Sequence, residues 1–285
     1  MRSANSTAAT AGTAPRADRS ALRTRVVSAL VLAPVALVPA VLGRPVWDVL
    51  VAVMGACMAW EWARLCGGSR LSRVGAASIA IAPVAVAVAA LWAVIPALII
   101  VGGGVVLIGL GARLEGVRNP LWSAAGVAYV GVPCIAMAWL RALSGDGLAT
   151  LLWALALTWA TDTGAYIVGR GIGGPKLAPR ISPNKTWAGL IGGMAAAALV
   201  GVAASFLVDN VAAWIAVPAS AALAVVEQAG DLFESAVKRR FGVKDSSRLI
   251  PGHGGVLDRV DGLLAVSLMI AALSGVVGHT ILIWR

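Results

Sequence analysis

Between Glu227 and Gly262 the chain reads EQAGDLFESAVKRRFGVKDSSRLIPGHGGVLDRVDG, a mixture of carboxylates, bases, hydroxyls and glycines of the kind that handles phosphate and divalent cations. Glu227, Asp231, Glu234 and Lys238 recur at i, i+4, i+7 and i+11, so a continuing helix lines them along one side. After Gly242 turn formers take over. Lys244-Asp245-Ser246-Ser247-Arg248 and then Pro251-Gly252-His253-Gly254-Gly255 predict a loop rich in hydrogen-bond donors. Asp258 and Asp261 follow three apart, on one helix face, at the start of the last apolar segment. Carboxylates side by side repel unless a cation joins them. With Asp231 they flank the glycine-rich loop, an arrangement suited to magnesium that presents a triphosphate, since magnesium commonly takes one or two carboxylates plus substrate phosphates. The competing reading pairs each Asp with Lys238, Arg239 or Arg259 as a juxtamembrane salt bridge. His253 either orients a phosphate or caps the loop.

The elements that must carry these groups are set by composition. The 285 residues are 59% hydrophobic and 13% charged, with a mean hydropathy of +0.87, and that excludes an ordinary soluble domain. The bilayer is the expected solvent. Apolar segments near 26–43, 45–65, 75–93, 95–112, 120–141, 148–168, 187–208, 210–230 and 257–283 predict an all-α polytopic membrane protein of about nine transmembrane helices. The net charge of +10 sits on no single basic domain, so nucleic acid is not an expected partner. With the N-terminus in the cytosol, 20 of the 23 Lys and Arg fall on the cytosolic side, leaving Arg44, Arg141 and Arg285 outside. That bias selects nine spans, an external C-terminus and one cytosolic polar face for the active site. Residues 1–24 read as a disordered basic cytosolic tail without a cleavage signature, and 25–285 as a single transmembrane catalytic domain with its motif region at 227–262. Cys57, Cys66 and Cys134 have no CxxC spacing and read as packing residues.

Two further polar features interrupt the apolar segments. Asp162 lies in the sixth, where an unpaired carboxylate is costly and marks function by default, lining a polar cavity near the cytosolic end. Ser182-Pro183-Asn184-Lys185-Thr186-Trp187 precedes the seventh, where hydroxyls, a lysine and free helix-start amides suit phosphate. The plainer alternative is a helix cap with an interfacial Trp. Gly169 to Gly174 matches GxGxxG, but it follows a membrane helix and not a strand. It therefore reads as a flexible loop and not a dinucleotide site.

Ser235-x-x-Lys238-Arg239-x4-Lys244-Asp245, then Pro251-x-His253-Gly254-Gly255-x-x-Asp258-Arg259-x-Asp261, resembles the diagnostic pattern of the phosphatidate cytidylyltransferase (CDP-diacylglycerol synthase) family, bacterial type. Ala59-Trp60-Glu61-Trp62-Ala63-Arg64-Leu65, Asp162-Thr163-Gly164-Ala165-Tyr166 and Ser182 to Trp187 resemble that family's other blocks, with Asn184 where a lysine is common. The resemblance implies a nucleotidyltransferase of phospholipid biosynthesis in the cell membrane, using CTP and phosphatidic acid to make CDP-diacylglycerol and pyrophosphate with magnesium. A second cation and a homodimer are left open. It makes Asp231, Asp258 and Asp261 the metal ligands, and Lys238, Lys244, Arg259 and Lys185 the groups that neutralise phosphate. Ser182, Thr186 and Ser235 would donate hydrogen bonds, with Asp162, Arg239 and His253 completing the substrate site. A CTP-dependent lipid-alcohol kinase is the rival enzyme. A secondary transporter is the rival of another class, and it would hold its ionisable groups near the bilayer midplane instead of at one face.

Overall fold

The computed structural model describes residues 30–67, 71–252 and 254–283. The chain is an all-α membrane bundle. Among the described residues it forms α1 (Leu30–Leu42), α2 (Val46–Gly67), α3 (Arg73–Leu91), α4 (Val94–Leu114) and α5 (Pro120–Ala142). Then come α6 (Gly147–Ile172), the strands β1 (Lys176–Ala178) and β2 (Ser182–Thr186), α7 (Trp187–Leu207), α8 (Ala213–Arg240) and α9 (Leu257–Val277). Eight of these helices, α2 to α9, are long and apolar enough to cross a membrane; the described part of α1 is shorter. The expected tail at 1–24 lies outside the described residues, as do His253 and Arg285.

The helix ends follow local chemistry. The helix α8 runs ten residues beyond the expected apolar segment because its charged stripe keeps the helical repeat, and it stops at Gly242, where φ is +71°. The expected loop over the GxGxxG match is corrected: α6 stays helical through Ile172, and only Gly173 and Gly174 leave it, with φ of +69° and +91°. Gly278 (φ +79°) ends α9 short of the expected 283, and a 3-10 turn, Ile281–Ile283, follows. The strands were not expected. They form a short antiparallel hairpin pairing Lys176 with Thr186 and Ala178 with Ser182.

The bundle is tied at both ends. At one end Arg44 pairs with Asp48 at 2.7 Å and also donates to the Ala90 carbonyl in the last turn of α3. Arg141 donates to the Ala40 carbonyl in the last turn of α1 at 2.7 Å, and Thr150 on α6 meets Thr280 beyond α9 at 2.7 Å. At the opposite end Trp62 of α2 donates to the Trp122 carbonyl of α5 at 2.7 Å. Glu61 reaches the α8–α9 loop there, and β2 reaches α8. The expected charge split is thus a split between two ends: Arg44 and Arg141 occupy one, and the motif residues described occupy the other. Between them the outward faces of the helices are apolar and exposed, as at Val53 and Leu199, which are 56% and 69% exposed.

Helices α6 and α7 approach closely along glycines. A side chain at Gly164 would meet the Gly192 carbonyl at 2.7 Å, so the small residues there let the two backbones pack in van der Waals contact. The same contact fixes the hairpin between them.

A cysteine replacing exposed Ser144, in the α5–α6 turn, and one replacing exposed Lys244, in the α8–α9 loop, should each react with an impermeant thiol reagent from one face of sealed vesicles only, and from opposite faces. Labelling of both from the same face would contradict this fold.

Candidate active site

The charged stripe of α8 points into the bundle. Glu227 and Glu234 are 1% exposed and Lys238 is 9% exposed, burial that charged groups tolerate only with partners. The Lys238 ammonium sits 2.5 Å from Glu234 Oε2 and 2.7 Å from Asp258 Oδ1. Asp258 is in the first turn of α9, so this contact bolts the two helices together across the loop. Its other oxygen accepts from Ser246 N and Ser246 Oγ, both at 2.9 Å, and from Gly255 N at 2.7 Å. Gly254 makes that wrapping feasible. Its φ is +86°, and a Cβ there would lie 2.6 Å from Asp258 Oδ2.

A second carboxylate grips the same loop from α2. Glu61 is fully buried and accepts from Ser247 Oγ at 2.6 Å, Val256 N at 2.9 Å and Leu257 N at 2.7 Å, with Ser246 Oγ 3.3 Å away. Val256 and Leu257 open α9, so a carboxylate meets the positive end of that helix. The sequence reading matched the block around Glu61 without giving it a role. Its signal was a Glu flanked by Trp60 and Trp62 inside an apolar helix, which in a membrane demands a partner.

The other half of the site is brought by the hairpin. Strand β2 carries Lys185 against α8, with Lys185 Nζ 2.7 Å from Asp231 Oδ2, and Ser235 donates to Asp231 Oδ1 at 3.2 Å. Thr186 caps α7 by accepting from Gly189 N at 3.0 Å, which is the cap reading made from sequence. Below the hairpin lies an open cleft of about 670 Å³, walled by Asp162, Tyr166 and Arg170 of α6, Lys176 and Lys185 of the hairpin, and Gln228 of α8. Glu227, whose carboxyl lies near that of Asp162, accepts from Gln228 at 2.8 Å. The carboxylates of Asp162, Asp231 and Asp261 are close enough to repel one another.

The structure thus gathers Asp162, Lys185, Asp231, Ser235 and Asp261 on one side, and Lys238 with Asp258 beside them. Ser182 is half-buried in β2. Lys244 and Arg259 are exposed, and Arg239 closes the end of α8 by donating to the Val243 carbonyl at 2.9 Å. His253 lies outside the described residues. Among the described residues no three His, Cys, Asp or Glu side chains converge into a ready-made metal-ligand set. Sequence reasoning missed Glu61, Ser246, Arg170 and Lys176 as members of the site. Arg170 and Lys176 flank the glycine run, where only the hairpin folds them back over Asp162.

Comparison with known proteins adds the following. The profile described as "Cytidylyltransferase family" matches residues 23–277. A protein of Brucella suis biovar 1 (strain 1330) named phosphatidate cytidylyltransferase is 50% identical over 149 residues, 52% of this chain and 55% of its own length. Proteins of the same name from Staphylococcus haemolyticus (strain JCSC1435) and Staphylococcus aureus (strain COL) are 48% and 46% identical over 141 residues, 49% of this chain and 53% of theirs. The chain spans about half the length of the curated relatives it matches.

Removing one partner of a buried ion pair strands the others, at about 3–5 kcal/mol, whereas a solvent-accessible pair contributes about 0–1 kcal/mol. Thermal unfolding in detergent should therefore show a larger loss for Lys238→Met, which strands two buried carboxylates, than for Lys185→Ala, whose one partner Asp231 is 26% exposed. Equal losses would mean that the Lys238 contacts are not the bolt described here.

Proposed function

The chain belongs to the cytidylyltransferase family, and on that premise we propose that it is a CTP:phosphatidate cytidylyltransferase, making CDP-diacylglycerol and pyrophosphate at the cytosolic face of a cell membrane. The observation that carries the reading is the Lys185–Asp231 bridge at 2.7 Å. It joins the Ser182–Trp187 block to the α8–α9 carboxylates across a cleft, so groups that suit polyphosphate and groups that suit a cation border one space. The names of the relatives support the choice of reactants. In this reading the N-terminus is cytosolic and the C-terminus external, which puts the polar end where a soluble nucleotide reaches it.

A non-bridging oxygen of the lipid phosphate bonds to the α-phosphorus of CTP. The bond from that phosphorus to the oxygen leading to the β-phosphate breaks, and pyrophosphate leaves with the electron pair. Chemistry of this kind needs positioning and charge neutralisation more than a covalent nucleophile. Lys185, Lys176 and Arg170 line the cleft as the counter-charges for phosphate, with Lys244 and Arg259 exposed at the same end for the leaving group. Lys238, held by two carboxylates, serves as their internal counter-ion.

Magnesium fits the donor chemistry, because the mutually repelling Asp231 and Asp261 provide hard oxygens and substrate phosphates complete the shell. Bound there, the ion would neutralise the developing charge on the triphosphate. The oxygens of Asp258 are enclosed by Lys238, Ser246 and Gly255, whereas Asp231 is held by Ser235 at 3.2 Å and by Lys185, a base that substrate phosphate would draw away, so in this proposal Asp258 holds the loop and Asp231 and Asp261 hold the ion.

Purified full chain in detergent, given magnesium, phosphatidate and CTP labelled at the α-phosphate, should yield lipid-soluble label. Asp231→Asn and Lys185→Ala should each lower the rate about a hundredfold, while Arg113→Ala, in a turn without a motif, should leave it unchanged. Label reaching lipid from the γ-phosphate would instead mark a kinase, and no labelled lipid at all would end the reading.

A further inference from the structure

The α8–α9 loop holds its shape with little regular structure of its own. Ile250 and Gly254 exchange backbone hydrogen bonds at 2.8 and 3.1 Å, which closes the tip. The body of the loop is organised on two carboxylates from outside it, Asp258 on α9 and Glu61 on α2. Glu61 is separated by 186 to 196 residues from the three donors that hold its oxygens, Ser247 Oγ and Val256 N on Oε1 and Leu257 N on Oε2; Ser246 Oγ lies 3.3 Å from Oε2, but its single proton goes to Asp258 at 2.9 Å. A fully buried carboxylate with donors on both oxygens is a preorganised acceptor, and it has one position in which all three bonds are made. Gly255 carries no side chain at the closest approach, where a Cβ would run into both Ser246 Oγ and the Glu61 carboxylate.

We propose that Glu61 is the positioning residue of this loop: from α2 it fixes the Ser246–Ser247 corner and the start of α9, so that Lys244 and Arg248, the exposed cations beside that corner, are presented in one register to the phosphates of the nucleotide. The nucleotide part rests on the function proposed above; the loop part does not. Glu61 touches neither substrate nor reacting atoms. An acceptor oxygen on each side is required, so Gln is a poor substitute: in either orientation its amide nitrogen would face an N–H donor, Val256 N or Leu257 N.

The test has two arms on the full chain in detergent. In the first, trypsin cleavage at Lys244 and Arg248 is timed by mass spectrometry, with Arg118 in the α4–α5 turn as internal reference. Loss of a charge-assisted bond opens the loop more often, and Glu61→Gln should speed cleavage at Lys244 and Arg248 roughly tenfold without changing the reference site. In the second, Glu61→Gln should raise KM for CTP roughly tenfold, with kcat changed less than about threefold and KM for phosphatidate unchanged. A protein merely losing folded molecules shows the reverse, a lower apparent kcat at constant KM. Ser247→Ala removes one of the three bonds and should move both readouts the same way by a smaller factor, which covers the case in which Glu61→Gln does not fold. Wild-type cleavage at Lys244 and Arg248 in both variants, or a fall in kcat at unchanged KM for CTP, overturns the proposal. Should the wild-type chain make no labelled lipid, the reaction is wrong, and the cleavage arm alone decides for or against Glu61.

Discussion

A charge withdrawn from water has to meet its opposite, and the polar end of this bundle is built round that requirement at Lys238. Its ammonium lies between Glu234 and Asp258, two residues on different helices, all three largely buried. The amides of Ser246 and Gly255 add to this arrangement by donating to Asp258. The consequence is geometric. With α8 and α9 fixed by this contact, Asp231 and Asp261 are held on adjoining faces despite their repulsion, and the loop between the helices has a defined start and finish.

The second half of the site depends on steric closeness. Glycines at the α6–α7 contact let the backbones approach, and the hairpin between these helices then overhangs Asp162. Lys185 thereby reaches Asp231. A helix-to-helix connection without the hairpin would leave Lys185 as one more interfacial base. The cleft is therefore a product of two different physics: ion pairing on the α8–α9 side and small-residue packing on the α6–α7 side.

Much of this was legible from the chain alone, for identifiable reasons. Apolar runs of bilayer length yield helices almost residue by residue, and the i, i+4, i+7, i+11 stripe correctly extends α8 into the polar end. The division of basic residues anticipates which turns share an end, because each crossing reverses the chain. The hairpin escaped notice because two strands of three and five residues with Pro183 and Asn184 carry no alternation to read. Roles within the site were legible only to the level of residue type. Asp258 and Asp231 look alike in sequence, yet one is enclosed by backbone and hydroxyl donors and the other faces a lysine from a distant segment, a distinction that only long-range contacts create. Glu61 was hidden for the same reason, since its donors lie 186 to 196 residues further along the chain.

The ties at the two ends have a meaning in the order of synthesis. Arg141 bonds to the Ala40 carbonyl across 101 residues, so the last turn of α1 leaves the ribosome well before the guanidinium that completes it. Glu61 waits longer still, until Leu257 has been made, 196 residues later. A buried carboxylate in a half-built bundle has no such donors, so α2 must keep Glu61 at the wet edge of the bilayer until the final helix arrives. The polar end is thus the last part of the molecule to close, and a ribosome stalled before residue 257 leaves a nascent chain whose helices are nearly all made and whose site is not.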